Sequence, residues 1–154
     1  MNSPGRRREP AHQGFARAVE AVYATFGAFG AGDAAPFAAL WSRRDDVTIF
    51  GGFGAYERGW AAVGPRLAWA AGRFGADNQT TRYEPLAAGS SGDLGYAVGL
   101  ERIEGARLAG REGSSPMLLR VTHLFRREDG AWRIIHRHAD PIAAKTAPEA
   151  ILPR

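Results

Sequence analysis

Leu118-Leu119-Arg120-Val121-Thr122-His123-Leu124-Phe125-Arg126-Arg127-Glu128-Asp129-Gly130-Ala131-Trp132-Arg133-Ile134-Ile135-His136-Arg137-His138-Ala139-Asp140 reads as two strands joined at a tight turn. Asp129-Gly130 tolerates the positive φ values that a two-residue hairpin loop requires. Both arms are rich in β-branched and aromatic residues, which suit a pleated, part-buried surface. A two-residue loop pairs Glu128 with Ala131. Arg120, Thr122, Leu124, Ile135 and Arg137 then share one face, and Val121, His123, Phe125, Trp132, Ile134, His136 and His138 share the other. A three-residue loop would slip the register and bring His136 and His138 into line with Thr122 and Arg120. With apolar residues on both faces near the turn, the hairpin needs cover on both sides.

Working outward, Thr80 to Leu86 and Asp93 to Glu104 are further strands, connected through Gly89-Ser90-Ser91-Gly92, and an Asp77-Asn78 turn precedes them. The segment from Gly105 to Ser115 leads into the hairpin. Upstream, Asp46 to Phe50 is a short strand followed by a bend at Gly51-Gly52-Phe53-Gly54. That bend is no phosphate loop, because Ala55-Tyr56-Glu57-Arg58-Gly59 follows it where a helix opening with lysine and a hydroxyl residue is needed. The first helix starts near Ala11, with Phe15, Val19, Val22, Phe26 and Phe29 on one stripe, and ends at Gly30-Ala31-Gly32. Asp33 caps a short second helix carrying Phe37, Leu40 and Trp41. A third runs from Trp60 to Arg73 with Val63, Leu67, Trp69 and Ala70 facing inward. Helices followed by strands predict an α+β domain in which a curved antiparallel sheet wraps around three N-terminal helices. Residues 11–140 form this domain, 1–10 a disordered basic tail and 141–154 a loose C-terminal tail.

A chain of 154 residues without cysteine has neither disulfides nor thiol chemistry. It holds no apolar run that could span a bilayer and no signal-peptide pattern, so the expectation is a cytoplasmic protein without membrane contact. Most of the +4 formal charge sits in Arg6, Arg7 and Arg8. Elsewhere arginines stand beside carboxylates, as in Arg43-Arg44-Asp45-Asp46, so no basic stripe for nucleic acid is expected.

The Ala31-Gly32-Asp33 helix end, Phe37-Ala38-Ala39-Leu40-Trp41, Gly59-Trp60 and the hairpin motif Phe125 to His138 together resemble the nuclear transport factor 2-like superfamily, over residues 11–140. The resemblance is strongest to its SnoaL-like and ketosteroid-isomerase-like branch. It implies a cone with a pocket between helices and concave sheet, and a homodimer formed through the back of the sheet. It also implies that the isomerase's general-base Asp is replaced by Gly51, its second Asp by Thr122, and that its tyrosine falls near Thr25 and Tyr23. The isomerase mechanism is therefore not expected here.

On this alignment Tyr96, Arg120, Thr122 and Arg137 are expected in the pocket, with Phe50 and Trp60 in its apolar wall beside Trp69 and Phe74. Arg137 could bind a ligand anion or pair with Glu57, Glu84 or solvent; both readings stay open. His123, His136 and His138 are expected on the dimer side near Glu101 and Asp140. There they form hydrogen bonds, with no metal and no cofactor. Two functions remain. One is a non-catalytic pocket for a small anionic or aromatic molecule; the other is an enzyme of proton transfer or hydrolysis with His136 or His138 as base and Arg120 steadying an oxyanion. The homodimer expectation also rests on Phe125, Trp132 and Ile134, read as an exposed apolar patch.

Overall fold

The computed structural model describes residues 11–75, 79–142, 144–145 and 147–152. The expected N-terminal tail and the Asp77-Asn78 turn lie outside them. In chain order the elements are α1 (Ala11–Ala24), α2 (Phe26–Gly30), α3 (Ala35–Ala38), β1 (Thr48–Phe50), β2 (Tyr56–Arg58), α4 (Trp60–Ala71), β3 (Thr80–Ser91), β4 (Leu94–Ala106), β5 (Ser115–Glu128) and β6 (Ala131–Pro141). A single 3-10 turn spans Pro148–Ile151. None of the described helices is long and apolar enough to cross a membrane.

The first helix is broken where the apolar stripe predicted continuity. Thr25 Oγ1 donates to the Val22 carbonyl at 2.6 Å, and the Thr25 amide bonds the same oxygen at 3.1 Å. This local side-chain bond competes with the helical ladder and separates α1 from α2. The stripe itself survives the break, since Phe15, Val22 and Phe26 are all buried.

The six strands are ordered β2-β1-β6-β5-β4-β3. All neighbours are antiparallel except β1 and β6, which run parallel. The sheet is therefore mixed, where strand order alone suggested antiparallel pairing throughout. β3 continues through the expected Gly89–Gly92 connection to Ser91 and turns at Gly92-Asp93. The hairpin turn is as expected: Glu128 pairs with Ala131, and Asp129 and Gly130 have φ of 49° and 81°.

Beyond the turn, the hairpin departs from a regular ladder. Phe125 pairs with Ile134 but Leu124 pairs with His136, leaving Ile135 as the extra residue of a β-bulge. On the turn side the expected faces hold. Past the bulge they exchange: Arg137 and Ala139 join Val121, His123 and Phe125 on the concave face, while His136 and His138 join Leu124 and Thr122 on the convex face. The bulge lies between two different neighbours of β6. Ile134 exchanges backbone bonds with Leu40 and Ser42, and His136 to His138 pair with β1.

The main core lies between the helices and the concave face, with Phe37, Trp41, Val63, Leu67, Phe125 and Ile134 nearly or wholly removed from solvent. Phe125, Trp132 and Ile134 belong to this core or pack on it, which corrects their placement in an exposed patch. Trp69, expected to face inward on α4, is 42 % exposed, and Ala71 is buried instead. On β4 the concave positions are small. A Cβ at Gly95 would fall 2.5 Å from the Phe15 ring, and one at Gly99 would fall 2.3 Å from the Tyr83 ring and 2.5 Å from the Glu84 carbonyl oxygen. The Tyr83 ring is itself stacked on Tyr23, with centroids 3.9 Å apart. It cannot retreat freely, and backbone blocks the other side. Gly99→Ala should therefore lower stability by about 1–3 kcal/mol through overpacking, read as a reduced urea midpoint with unchanged m-value; an unchanged midpoint would mean this approach is not as tight as it stands.

Candidate functional site

Between the helices and the concave face lies a cavity of about 80 Å³. Its walls are mostly aromatic and aliphatic: Phe26, Phe29 and Phe37 from the N-terminal helices, Phe53 from the glycine bend, and Phe74 after α4. Ile103, Met117 and Leu119 close it from the sheet. Phe29 packs edge to face on Phe37, and the Phe53 and Phe74 rings meet at a tilt. Any ligand held in the cavity is small.

Two charged residues reach this space from the sheet, Glu101 on β4 and Arg137 on β6. They bind each other in a two-pronged pair, with Arg137 Nη1 donating to Glu101 Oε1 and Nη2 to Oε2, each at 2.8 Å. Both side chains are nearly fully buried. Arg137 Nη1 also donates to His123 Nε2 at 2.9 Å, and a guanidinium can only donate, so His123 is the tautomer with its proton on Nδ1. Burial opposes the Arg137 charge, but Glu101 outweighs it and the guanidinium is held more firmly protonated than usual. His123 is driven the other way: burial first, then Arg137, hold its pKa well below 6.5, so it is neutral. The guanidinium lies within 6 Å of the Phe26 and Phe37 ring centroids, at 5.6 and 5.9 Å. Tyr23, whose ring meets His123 edge-on, keeps its proton because burial and then Glu101 raise its pKa.

Arg137 thus reaches the cavity as expected, but its partner is Glu101, not Glu57 or Glu84. Arg120, Thr122 and Tyr96 do not line the cavity; all three project from the convex face, where Thr122 pairs with Val98 and His138 and where Arg120 bonds Asp140 at 3.0 Å. Tyr96 is 44 % exposed. Phe50 is also convex, with its ring 5.2 and 5.3 Å from those of His136 and His138. Trp60 packs against the core and carries the Arg43 guanidinium 3.7 Å above its ring. His136 and His138 are convex as well, His136 with Nδ1 2.7 Å from Thr48 Oγ1 and its pKa lowered by burial and by His138. Neither can act on a molecule in the cavity. Among the described residues no group of three or more histidines and carboxylates could hold a metal ion.

Gln79 and Thr81 are polar wall residues that the strand pattern left unassigned, whereas Glu101 and His123, expected on the dimer side, are buried on the concave face with Arg137. For Glu101 a signal existed. It shares its parity on β4 with Gly95, Ala97, Gly99 and Ile103, the small and apolar positions that the helices cover, so a charge there had to be buried and paired.

Two consequences are measurable. Glu101→Ala leaves the Arg137 charge buried without its counterion and should cost about 3–5 kcal/mol, whereas the double variant Glu101→Ala, Arg137→Met should be less destabilised than the two single losses summed. Denaturant unfolding of all four proteins tests this, and strict additivity would contradict the pairing. For His123 the folded pKa lies below the unfolded one, so the unfolded chain binds more protons over the window below about pH 6.5 and stability falls as pH is lowered through it. His123→Gln should flatten that slope, leaving the smaller contribution of the same sign from His136.

A family model for the SnoaL-like domain matches residues 19–144. No curated protein matches the sequence. Among solved structures, a candidate calcium/calmodulin-dependent protein kinase type II association domain from Thiobacillus denitrificans is 25 % identical, with a TM-score of 0.65 over 82 % of this chain and 93 % of that one. A nuclear transport factor 2-like superfamily protein from Salmonella enterica is 16 % identical, with a TM-score of 0.73 over 89 % and 94 %. A ketosteroid isomerase-like protein from Erwinia carotovora atroseptica is 16 % identical, with a TM-score of 0.66 over 85 % and 95 %. The cone of helices and curved sheet is the fold these structures share, and with the family model covering most of its length the chain belongs to the SnoaL-like domain family.

Proposed function

We propose that this SnoaL-like domain is a non-catalytic binding module that holds a small organic molecule in the cavity between its helices and concave sheet. One observation supports this above others: the carboxylate in the cavity wall, Glu101, has both oxygens committed to Arg137, and neither candidate histidine base, His136 or His138, faces the space. A proton-transfer catalyst needs a group within hydrogen-bond reach of its substrate and free to change protonation. What the cavity offers instead is apolar contact on nearly every side, the usual character of a binding pocket.

A homodimer through the back of the sheet fits the same reading, on residues other than those first expected. Phe50, Tyr96 and Leu124 are each about two-fifths exposed on the convex face, with Val98 and Leu100 beside them. Apolar area of this kind is commonly covered by a second subunit. The description of the Thiobacillus relative as an association domain is in keeping with a self-associating chain. The cysteine-free sequence is in keeping with a cytoplasmic location.

Gly51 provides the direct test of the cavity. It lines the space, and a Cβ added there would meet nothing within 4 Å. Gly51→Phe should fill the cavity at little cost to stability. Small aromatic molecules should raise the melting temperature of the wild type and have no effect on the variant. If both proteins respond alike, or neither does, the cavity is not a binding site. For the dimer, Leu124→Glu should shift the mass measured by light scattering from twice the chain mass to the chain mass; a wild-type monomer at tens of micromolar would dispose of the idea.

A further inference from the structure

We infer that the cavity selects a small uncharged ligand carrying a hydrogen-bond donor, such as a phenol or an alcohol on a single ring, over an anion of the same shape; the inference rests on the binding role proposed above. It comes from two features of the wall. The first is charge. The Arg137 guanidinium would by itself call for an anion, but Glu101 neutralises it with two bonds of 2.8 Å inside the wall, and His123 behind it is uncharged. A ligand carboxylate would therefore be a second negative charge beside Glu101 in a site with little water to screen it. Arg66, the remaining charged lining residue, is half-buried: its Nη2 donates to the Gly54 carbonyl at 2.9 Å in an exposed hydrogen bond, and its guanidinium lies 4.2 Å from the centroid of the Trp69 ring, itself 42 % exposed. Its charge is solvated and screened, and does not replace the one Glu101 cancels.

The second feature is an acceptor without a donor. Gln79 lines the cavity, and its Oε1, closed off from the space as the carboxamide now stands, meets no hydrogen-bond partner; a ligand donor meets it when the carboxamide turns toward the space. The carboxamide is seated against Gly30, where an added Cβ would fall 2.5 Å from Nε2 and 2.7 Å from Cδ, so the absence of a side chain at Gly30 makes the place it occupies. A buried acceptor left open is costly, and a ligand hydroxyl or N–H removes that cost. Arg137 has N–H donors to spare, because the bonds to Glu101 and His123 use three of the five that a guanidinium carries. A hydroxyl group can donate to Gln79 and still offer an acceptor to its surroundings. A carboxylate can only accept.

Toluene, phenol and benzoate present one ring with three polarities and can be titrated calorimetrically against the wild type near neutral pH, where phenol is uncharged. Phenol should bind roughly five- to tenfold more tightly than toluene, the worth of one net hydrogen bond, and benzoate more weakly than either. Gln79→Met should erase the advantage of phenol over toluene. Glu101→Gln, which unmasks Arg137, should bring benzoate above toluene; if that variant does not fold, the wild-type series and Gln79→Met decide alone. Benzoate binding at least as well as phenol to the wild type would overturn the inference while leaving the cavity a binding site. Equal affinity for phenol and toluene would overturn the part assigned to Gln79. If none of the three binds up to its solubility, the binding role itself fails, and this inference with it.

Discussion

One extra residue in β6 determines which side chains the cone encloses. The bulge at Ile135 sits where the outer neighbour of β6 changes from the Leu40–Ser42 segment to β1. A strand alternates faces with a period of two, so a single unpaired residue reverses every assignment beyond it. Without the bulge, His136 and His138 would point at the helices and Arg137 at the outside. With it, a guanidinium enters the interior and two imidazoles stay on the back of the sheet. The chemistry available to the cavity follows from that reversal.

A buried guanidinium imposes its own demands. It is tolerated because Glu101 on β4 and His123 on β5 converge on it from the neighbouring strands, each partner fixed by the same ladder that fixes the sheet. The pair spans β4 to β6 across β5, so it ties three neighbouring strands together. Its two charges cancel locally, and the space beside it is left apolar and close to neutral. For this reason an arginine in the pocket does not here imply an anionic ligand, and the enclosed carboxylate has no free oxygen with which to accept a proton from one.

Much of the fold was legible in the sequence because its signals are local. The Asp129-Gly130 turn, the apolar stripe from Phe15 to Phe29, the glycine bend after Phe50 and the strand-rich second half each depend on a few neighbouring residues, and each was found where the pattern put it. The family assignment drew on the same motifs. Less legible were the features set by distant contacts. The parallel pairing of β1 with β6 has no signature in either strand, and the Ile135 bulge depends on what lies across β6 rather than on β6 itself. From that one bulge came the wrong matching of the two arms: Arg137 was grouped with Arg120 and Thr122, and His136 and His138 with His123, where each stands on the opposite face. Arg120, Thr122, Tyr96 and Phe50 were misplaced for a different reason: the alignment to the family put their face of the sheet toward the pocket. The face that is in fact enclosed carries glycines and alanines on β4, since bulk there is supplied by Phe15 and Tyr83.

A crystal structure of the protein soaked with phenol tests the central claim, that the cone encloses an apolar cavity whose charges are already satisfied by each other. The account predicts the ring among Phe26, Phe29 and Phe74, the hydroxyl at Gln79, and the Glu101 carboxylate still held by both Arg137 nitrogens. A ring bound elsewhere, or a Glu101 side chain swung away to leave Arg137 on the ligand, would contradict it.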